Sequence, residues 1–334
     1  MTVKKVLKMP IQIFFLLCGL AALIGVGPFT YYCYSYIDHA FKNKPDDYDF
    51  PDWRDFKWTL LSIAIISIVD FIAHKVLNKL FRPLCKIQDD IEERDRRTEK
   101  AAYSGFKLIY FLAVSIWGFV ILHNKQFFPS LLGGTGDFHK CSLNYPYQHP
   151  DTREGIFWFL VLQLGFHVQS LIRMFVYQEK TKDIFEMTLH EIVTIYLYGG
   201  CYLMNFWEIG AVISWLHSVS DILIMLSKVL SQTDYGLAAA IVFLIEMMIW
   251  LYTRLIVFPW IAWIATTQDI DLGHWLILPF FGYGLYCLVF LHAYWFFLFV
   301  QILIHFMRDG EAEDAIEKDL KSPDKDTRDS RDEE

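Results

Sequence analysis

The sequence has no ten-residue stretches of alternating apolar and polar residues set off by turns, which excludes a transmembrane β-barrel. Its six cysteines (Cys18, Cys33, Cys85, Cys141, Cys201 and Cys287) include no CxxC pair and no zinc-ligand spacing, so neither a redox motif nor a structural zinc site is expected. At most, Cys33 and Cys141 share one side of a membrane and can form one disulfide; ordinary buried thiols are the simpler expectation. There is no stripe of clustered Lys and Arg of the kind a nucleic-acid partner requires. Internal repeats and a second soluble domain are also missing, as is an Arg- and Ser-rich transit segment.

What the chain has in abundance is long apolar runs. Of 334 residues, 54% are hydrophobic and 17% aromatic. A soluble domain would show apolar stripes instead of unbroken runs. Eight runs, at residues 11–36, 58–81, 104–123, 156–177, 184–204, 207–230, 237–266 and 275–307, are long enough for a ~30 Å hydrocarbon core, which takes about 20 helical residues. The expected fold class is all-α, a polytopic membrane protein with about eight transmembrane helices. The first run continues through Pro28 into Tyr31, Tyr32 and Tyr34, longer than a typical signal core, and is expected to be an uncleaved anchor.

Charge sets the orientation. The segment 82–107 carries Arg82, Lys86, Arg94, Arg96, Arg97, Lys100 and Lys107, whereas the links at 205–206 and 268–274 carry no Lys or Arg. The positive-inside rule then puts 82–107, 178–183, 231–236 and the tail on the inner side. Six of the eight net negative charges fall in residues 308–334, a tail expected to be solvated. Three regions follow: 1–103 with an anchor helix, a second span and a basic inner loop; 104–307 with six spans; and the acidic tail 308–334. Segment 124–153 reads as an outer connection and not as a domain.

Ionisable groups at membrane depth are costly and need a reason. Asp70 and His74, four apart, are expected to form a local pair on one face. His167 and Gln163 read as helix-to-helix hydrogen bonding. Glu246 and Arg254 are each expected to pair with a neighbouring helix. The densest group spans two helices joined by the short link 205–206, which must therefore be antiparallel neighbours. His190 and Thr194 share a face on the first, with Glu191 about 100° round; His217, Ser218 and Asp221 lie within little more than one turn of the second. Two imidazoles and a carboxylate converging in a low-dielectric cavity suit proton transfer and nucleophilic work. HExxH zinc chemistry is excluded, because Thr194 follows His190 by four.

The same stretch resembles the signature of the TLC-domain family, and within it the longevity-assurance-type ceramide synthases. The residues that carry the resemblance are Lys182, Asp183, Glu186, Met187, His190, Val193, Thr194, Asn205, Gly210, Leu216, His217, Ser220, Asp221 and Lys228, followed by residues 253–260 (TRLIVFPW) and Leu291, His292 and Trp295. The likeness runs over residues 104–307, six spans. It implies transfer of a fatty acyl group from coenzyme A to a sphingoid-base amine, with acyl-CoA as co-substrate and neither a bound prosthetic group nor a metal. His190 would be the nucleophile or base, with His217 and Asp221 the orienting pair. Glu191, Thr194, Asn205, Ser218, Arg254 and His292 would line the substrate site, and inner-side Arg or Lys would receive the coenzyme A phosphates. The endoplasmic reticulum is the family default, with the mitochondrial inner membrane or another organelle as alternatives.

Two positions depart from the pattern. Glu191 stands where the family has the second of two adjacent histidines, and Ser218 where it has the first aspartate of the second-helix motif. Glutamate cannot form an acyl-imidazole, and as an anion it repels a developing oxyanion. Serine cannot orient a histidine as a buried carboxylate does, a loss that can cost on the order of 10⁴-fold in rate. The sequence-level expectation is therefore a ceramide-synthase-like protein with impaired acyl transfer. It would hold a lipid or acyl chain and serve as a lipid-binding or structural subunit, with protein partners in a membrane assembly and none among nucleic acids. An active sphingoid-base N-acyltransferase is the alternative.

Overall fold

The computed structural model describes residues 31, 35–36, 38–40, 42–46, 51–85, 91–143, 145, 147, 153–176, 184–233, 235–267 and 281–309. Seven long helices make up almost all of it. They are α1 (Phe56–Phe81), α2 (Ile91–Leu122), α3 (Arg153–Val176), α4 (Ile184–Leu203), α5 (Trp207–Ser231), α6 (Gly236–Thr267) and α7 (Tyr283–Asp309). No strand longer than an isolated bridge occurs among the described residues. Six of these helices are long and apolar enough to cross a membrane. The exception is α4, whose 20 residues include Glu186, His190 and Glu191 and are correspondingly less apolar. Most of the expected first span (11–36), residues 178–183, 268–274, Cys33 and all but the first two residues of the tail lie outside the described residues.

α2 starts 13 residues before its expected span. At ~1.5 Å per residue its 32 residues reach about 48 Å, well beyond a hydrocarbon core. The extension is the basic inner segment, which folds as helix because its charges pair along one face: Glu93 accepts from Arg96 at 2.6 Å and from Arg97 at 2.9 Å.

α5 is the centre of the bundle, packed against α2, α3, α4 and α6. α1 sits outside, against α2 and α3, and turns Leu60, Ile65, Ile68 and Ile72 outward. Small residues permit the closest crossings. A Cβ on Gly118 of α2 would lie 2.6 Å from the Trp215 ring, and one on Gly165 of α3 would lie 2.7 Å from Ser62 Cβ. Asp70 does not pair with His74 as expected. Its carboxylate accepts instead from Arg173, and from Gln169 at 3.1 Å, both on α3. A guanidinium across the interface is a stronger partner than an imidazole one turn away on the same helix.

The outer connection is more ordered than its glycine content suggests. Short 3₁₀ turns at Ser130–Leu132 and Phe138–Ser142 fold it back, and Phe128 and Phe138 are fully buried, edge-on to Trp215 and tilted against Trp260. Gly136 is needed there, since a Cβ would lie 2.2 Å from the Gln126 carbonyl oxygen.

α6 contains one wide π-helical segment, Leu251–Val257. Pro259 follows it and has no N–H to offer the carbonyl of Leu255, so the helix cannot wind regularly through this point. Arg254 sits in the widened turn. The α4–α5 link is a Schellman closure: Phe206 N–H donates to Cys201 O at 2.8 Å and Asn205 N–H to Tyr202 O at 3.2 Å. Asn205 takes the left-handed position at φ 60°.

Candidate functional site

α3, α4, α5, α6 and α7 together line a partly open cavity. Along α4 it runs from His190 to Cys201, about 17 Å of helix. His167, His190, Thr194, His217 and Asp221 line one end, at membrane depth. The other end is walled by Leu197, Ile209, Ile213, Leu285 and Leu288, with Phe206 and Phe281 edge to face beside them. The cavity is thus polar at one end, the floor, and apolar at the other, the shaft.

The floor is held by Arg254, only 2% exposed. Its Nε donates to Ser220 Oγ at 2.7 Å and its Nη2 to the His217 carbonyl at 3.0 Å and to Asp221 Oδ1 at 2.6 Å. Nη1 reaches His292 Nε2 at 3.1 Å. A guanidinium cannot accept, so His292 accepts there and its proton sits on Nδ1. One residue in the π turn of α6 thus ties α5 to α7 and neutralises the carboxylate.

His217 Nδ1 lies 2.7 Å from the carbonyl oxygen of Ile213, so Nδ1 carries the proton and Nε2 the lone pair. That Nε2 is buried without a partner, as are His190 Nδ1 and Thr194 Oγ1. The rings of His190 and His217 lie 6.3 and 5.1 Å from that of His292. Buried polar atoms usually find partners. These three atoms border one cavity. Among the described residues no three His, Cys, Asp or Glu side chains are placed to share a metal ion.

A TLC domain matches residues 100–301, which include every residue that lines the cavity. The chain belongs to the TLC-domain family. It is 29% identical over 240 residues to ceramide synthase 4 of Mus musculus, covering 70% of this chain and 57% of that protein. Ceramide synthase 1 LOH3 of Arabidopsis thaliana is 25% identical over 295 residues, 82% of this chain and 93% of that one. Ceramide synthase hyl-2 of Caenorhabditis elegans is 24% identical over 305 residues, 85% and 89%. The chain spans a little over half the length of the mouse relative. It is a ceramide-synthase-like TLC-domain membrane protein.

Within this TLC domain the sequence-derived site residues fall into two tiers. His190, Thr194, His217 and Asp221 line the cavity; Arg254 and His292 stand behind the floor and brace it. Asn205 shapes the link between α4 and α5 and does not line the cavity. Glu191 and Ser218, the two departures, both turn toward α3. Glu191 Oε2 lies 2.7 Å from His167 Nδ1. Ser218 Oγ accepts from Gln163 Nε2 at 2.7 Å, in a network in which Gln163 also donates to Ser214 at 2.8 Å and accepts from Tyr110 at 2.7 Å.

Gln163 is therefore the helix-joining residue the sequence suggests. His167, read with it as the same kind of bond, lines the cavity as well. The missed signal lay in Glu191: a carboxylate 100° from a cavity-facing histidine has to face a neighbouring helix, and at membrane depth it needs a donor there. Tyr198, one turn beyond Thr194, was also passed over; it lines the cavity and donates to Ser214 Oγ at 2.5 Å.

Proposed function

We propose that this TLC-domain protein is a lipid N-acyltransferase of the ceramide-synthase type, taking a long acyl chain from coenzyme A to the amine of a sphingoid base. One observation carries the reading: two imidazole nitrogens, His190 Nδ1 and His217 Nε2, are buried without partners beside the apolar shaft. The shaft takes the acyl chain by burial of apolar surface. The thioester carbonyl then meets the imidazoles, which can both accept and donate protons near neutral pH. His190 takes the acyl group. His217 is oriented by the Ile213 carbonyl, a role for which a carboxylate at 218 is not needed. The replacements at 191 and 218 argued for impaired transfer; the orientation of both side chains toward α3 supports a working site instead. Acyl-CoA is the co-substrate, and the endoplasmic reticulum is the compartment this reading favours over the mitochondrial inner membrane.

The test uses the full chain purified in detergent, with sphinganine and labelled long-chain acyl-CoA. Labelled ceramide is expected from the wild type, reduced at least ~10²-fold in His190→Ala, the scale of one acid–base or nucleophilic group. Product no higher than in that variant would overturn transfer. The second reading, a lipid-binding or structural subunit, is favoured by the loss of the paired histidine and the first aspartate. It expects no ceramide, co-purifying lipid, and migration in a complex with protein partners on a native gel.

A further inference from the structure

An amine that attacks an acyl group must give up a proton, and the α3–α4 contact places a carboxylate and an imidazole beside the cavity. One turn along α3, Gln163 joins α3 to α5 with neutral amide bonds, which are far cheaper to bury at membrane depth. Glu191 is 4% exposed. An ionised carboxylate can only accept, so His167 Nδ1 donates to it and Nε2 retains the lone pair. The His167 ring lines the cavity, 6.4 Å centroid to centroid from that of His190, far enough apart for a reacting atom to sit between them.

We propose that His167 is the general base that deprotonates the attacking amine, and that Glu191 is its positioning residue, an imidazole–carboxylate pair assembled from α3 and α4. The proposal rests on the N-acyltransfer reading. In the first step a ring nitrogen of His190 bonds to the thioester carbon, the C–S bond breaks, and the thiolate leaves with the proton from the other His190 nitrogen. In the second the neutral amine attacks the acyl carbon and the C–N bond to His190 breaks. The amine's proton passes to His167 Nε2 and from there to the departing His190 nitrogen. Both imidazoles end neutral, His190 with its proton on the nitrogen that had carried the acyl group, and the products are an amide and free coenzyme A. Glu191 holds the ring in one tautomer and balances the transient imidazolium, the part a buried carboxylate plays beside a catalytic histidine elsewhere.

A pair that only staples α3 to α4 would be lost together with stability, so the variants must separate the two roles. His167→Asn keeps an N–H donor for Glu191 but no base. It is expected to lower kcat about 10²-fold, to leave KM for acyl-CoA within about twofold, and to keep the wild-type unfolding midpoint. Mass spectrometry of the variant given acyl-CoA and sphinganine should find acyl-His190 accumulating, because only the second step is slowed. His167→Gly is expected to regain turnover when imidazole is added. Glu191→Gln should slow kcat by about 10-fold or more, with little further loss in the double variant, since the two act as a unit. Ceramide from the wild type with undiminished kcat in His167→Asn would overturn this assignment and leave N-acyltransfer standing. A kcat loss that tracks a lowered midpoint, without acyl-enzyme or imidazole rescue, would mark a staple only and overturn it too. A wild type that forms no ceramide overturns both readings.

Discussion

At the scale of single residues, Arg254 is the group with the most to lose. It serves Ser220, His217, Asp221 and His292 at once through a planar fork that lysine cannot reproduce. Arg254→Met should leave the half-buried Asp221 carboxylate facing the cavity without a countercharge and lower stability by about 1–3 kcal/mol, measured by unfolding in detergent. Adding Asp221→Asn should recover a large part of that loss, because the cost is the stranded carboxylate rather than the missing packing. Equal destabilisation in the single and double variants would show that the fork matters for its shape alone. How much of this was legible in the sequence differs residue by residue. His190, His217 and Asp221 were, because i, i+4 spacing on two helices joined by a two-residue link leaves them few places to point. The partner of Asp70 was not, because helical spacing displays neighbours on one helix and is blind to Arg173 on another. The helix-to-helix bond expected of His167 is present, but its carboxylate partner, 24 residues away on α4, was not legible for the same reason.

At the scale of helices, glycine placement decides how closely the peripheral α1 can lie on α3. A methyl group on Gly165 would meet Ser62 Cβ at 2.7 Å, with the backbone nitrogen of Ile63 at 3.3 Å behind it. That obstacle is the first atom of a short side chain and cannot swing aside. Gly165→Ala is therefore expected to lower stability by about 1–3 kcal/mol through overpacking, and Ser62→Gly in the same chain to return part of it. Detergent unfolding of the three variants checks the pairing; no relief from Ser62→Gly would place the strain on another contact. Helix existence and approximate span were readable from apolar run length alone, as α1, α3, α5 and α7 show. The winding of α6 was not: Pro259 announces a fault, but whether the helix kinks, breaks or widens into a π turn depends on what the displaced residues meet. Here the widened turn carries Arg254 onto α5 and α7. The start of α2 was missed because hydropathy does not register a charged helix stabilised by its own Glu–Arg pairs.

At the scale of the whole molecule, with α4 taken to cross alongside the six helices that are long and apolar enough, the order of the seven described helices imposes an alternation that charge turns into an orientation. The α1–α2 connection and the charged start of α2 hold Arg82, Arg94, Arg96, Arg97 and Lys100, so they belong on the inner side. Counting from there, the folded-back connection after α2 is outer, the α3–α4 and α5–α6 links are inner, and α7 ends inside. The apolar shaft then runs from mid-membrane toward the outer side, with Phe206 and Phe281 at that end, while the polar floor lies nearer the inner side. Single cysteines at exposed positions, in an otherwise cysteine-free chain, test this with a membrane-impermeant maleimide on sealed vesicles of known sidedness. Glu92→Cys and Arg308→Cys should label from the inner face and Leu131→Cys only from the outer. Position 92 lies in the first turn of α2 and position 131 in the 3₁₀ turn beyond its far end, so labelling of both from one face would mean that α2 does not cross. Labelling of 92 and 308 from opposite faces would instead break the alternation somewhere between α3 and α7.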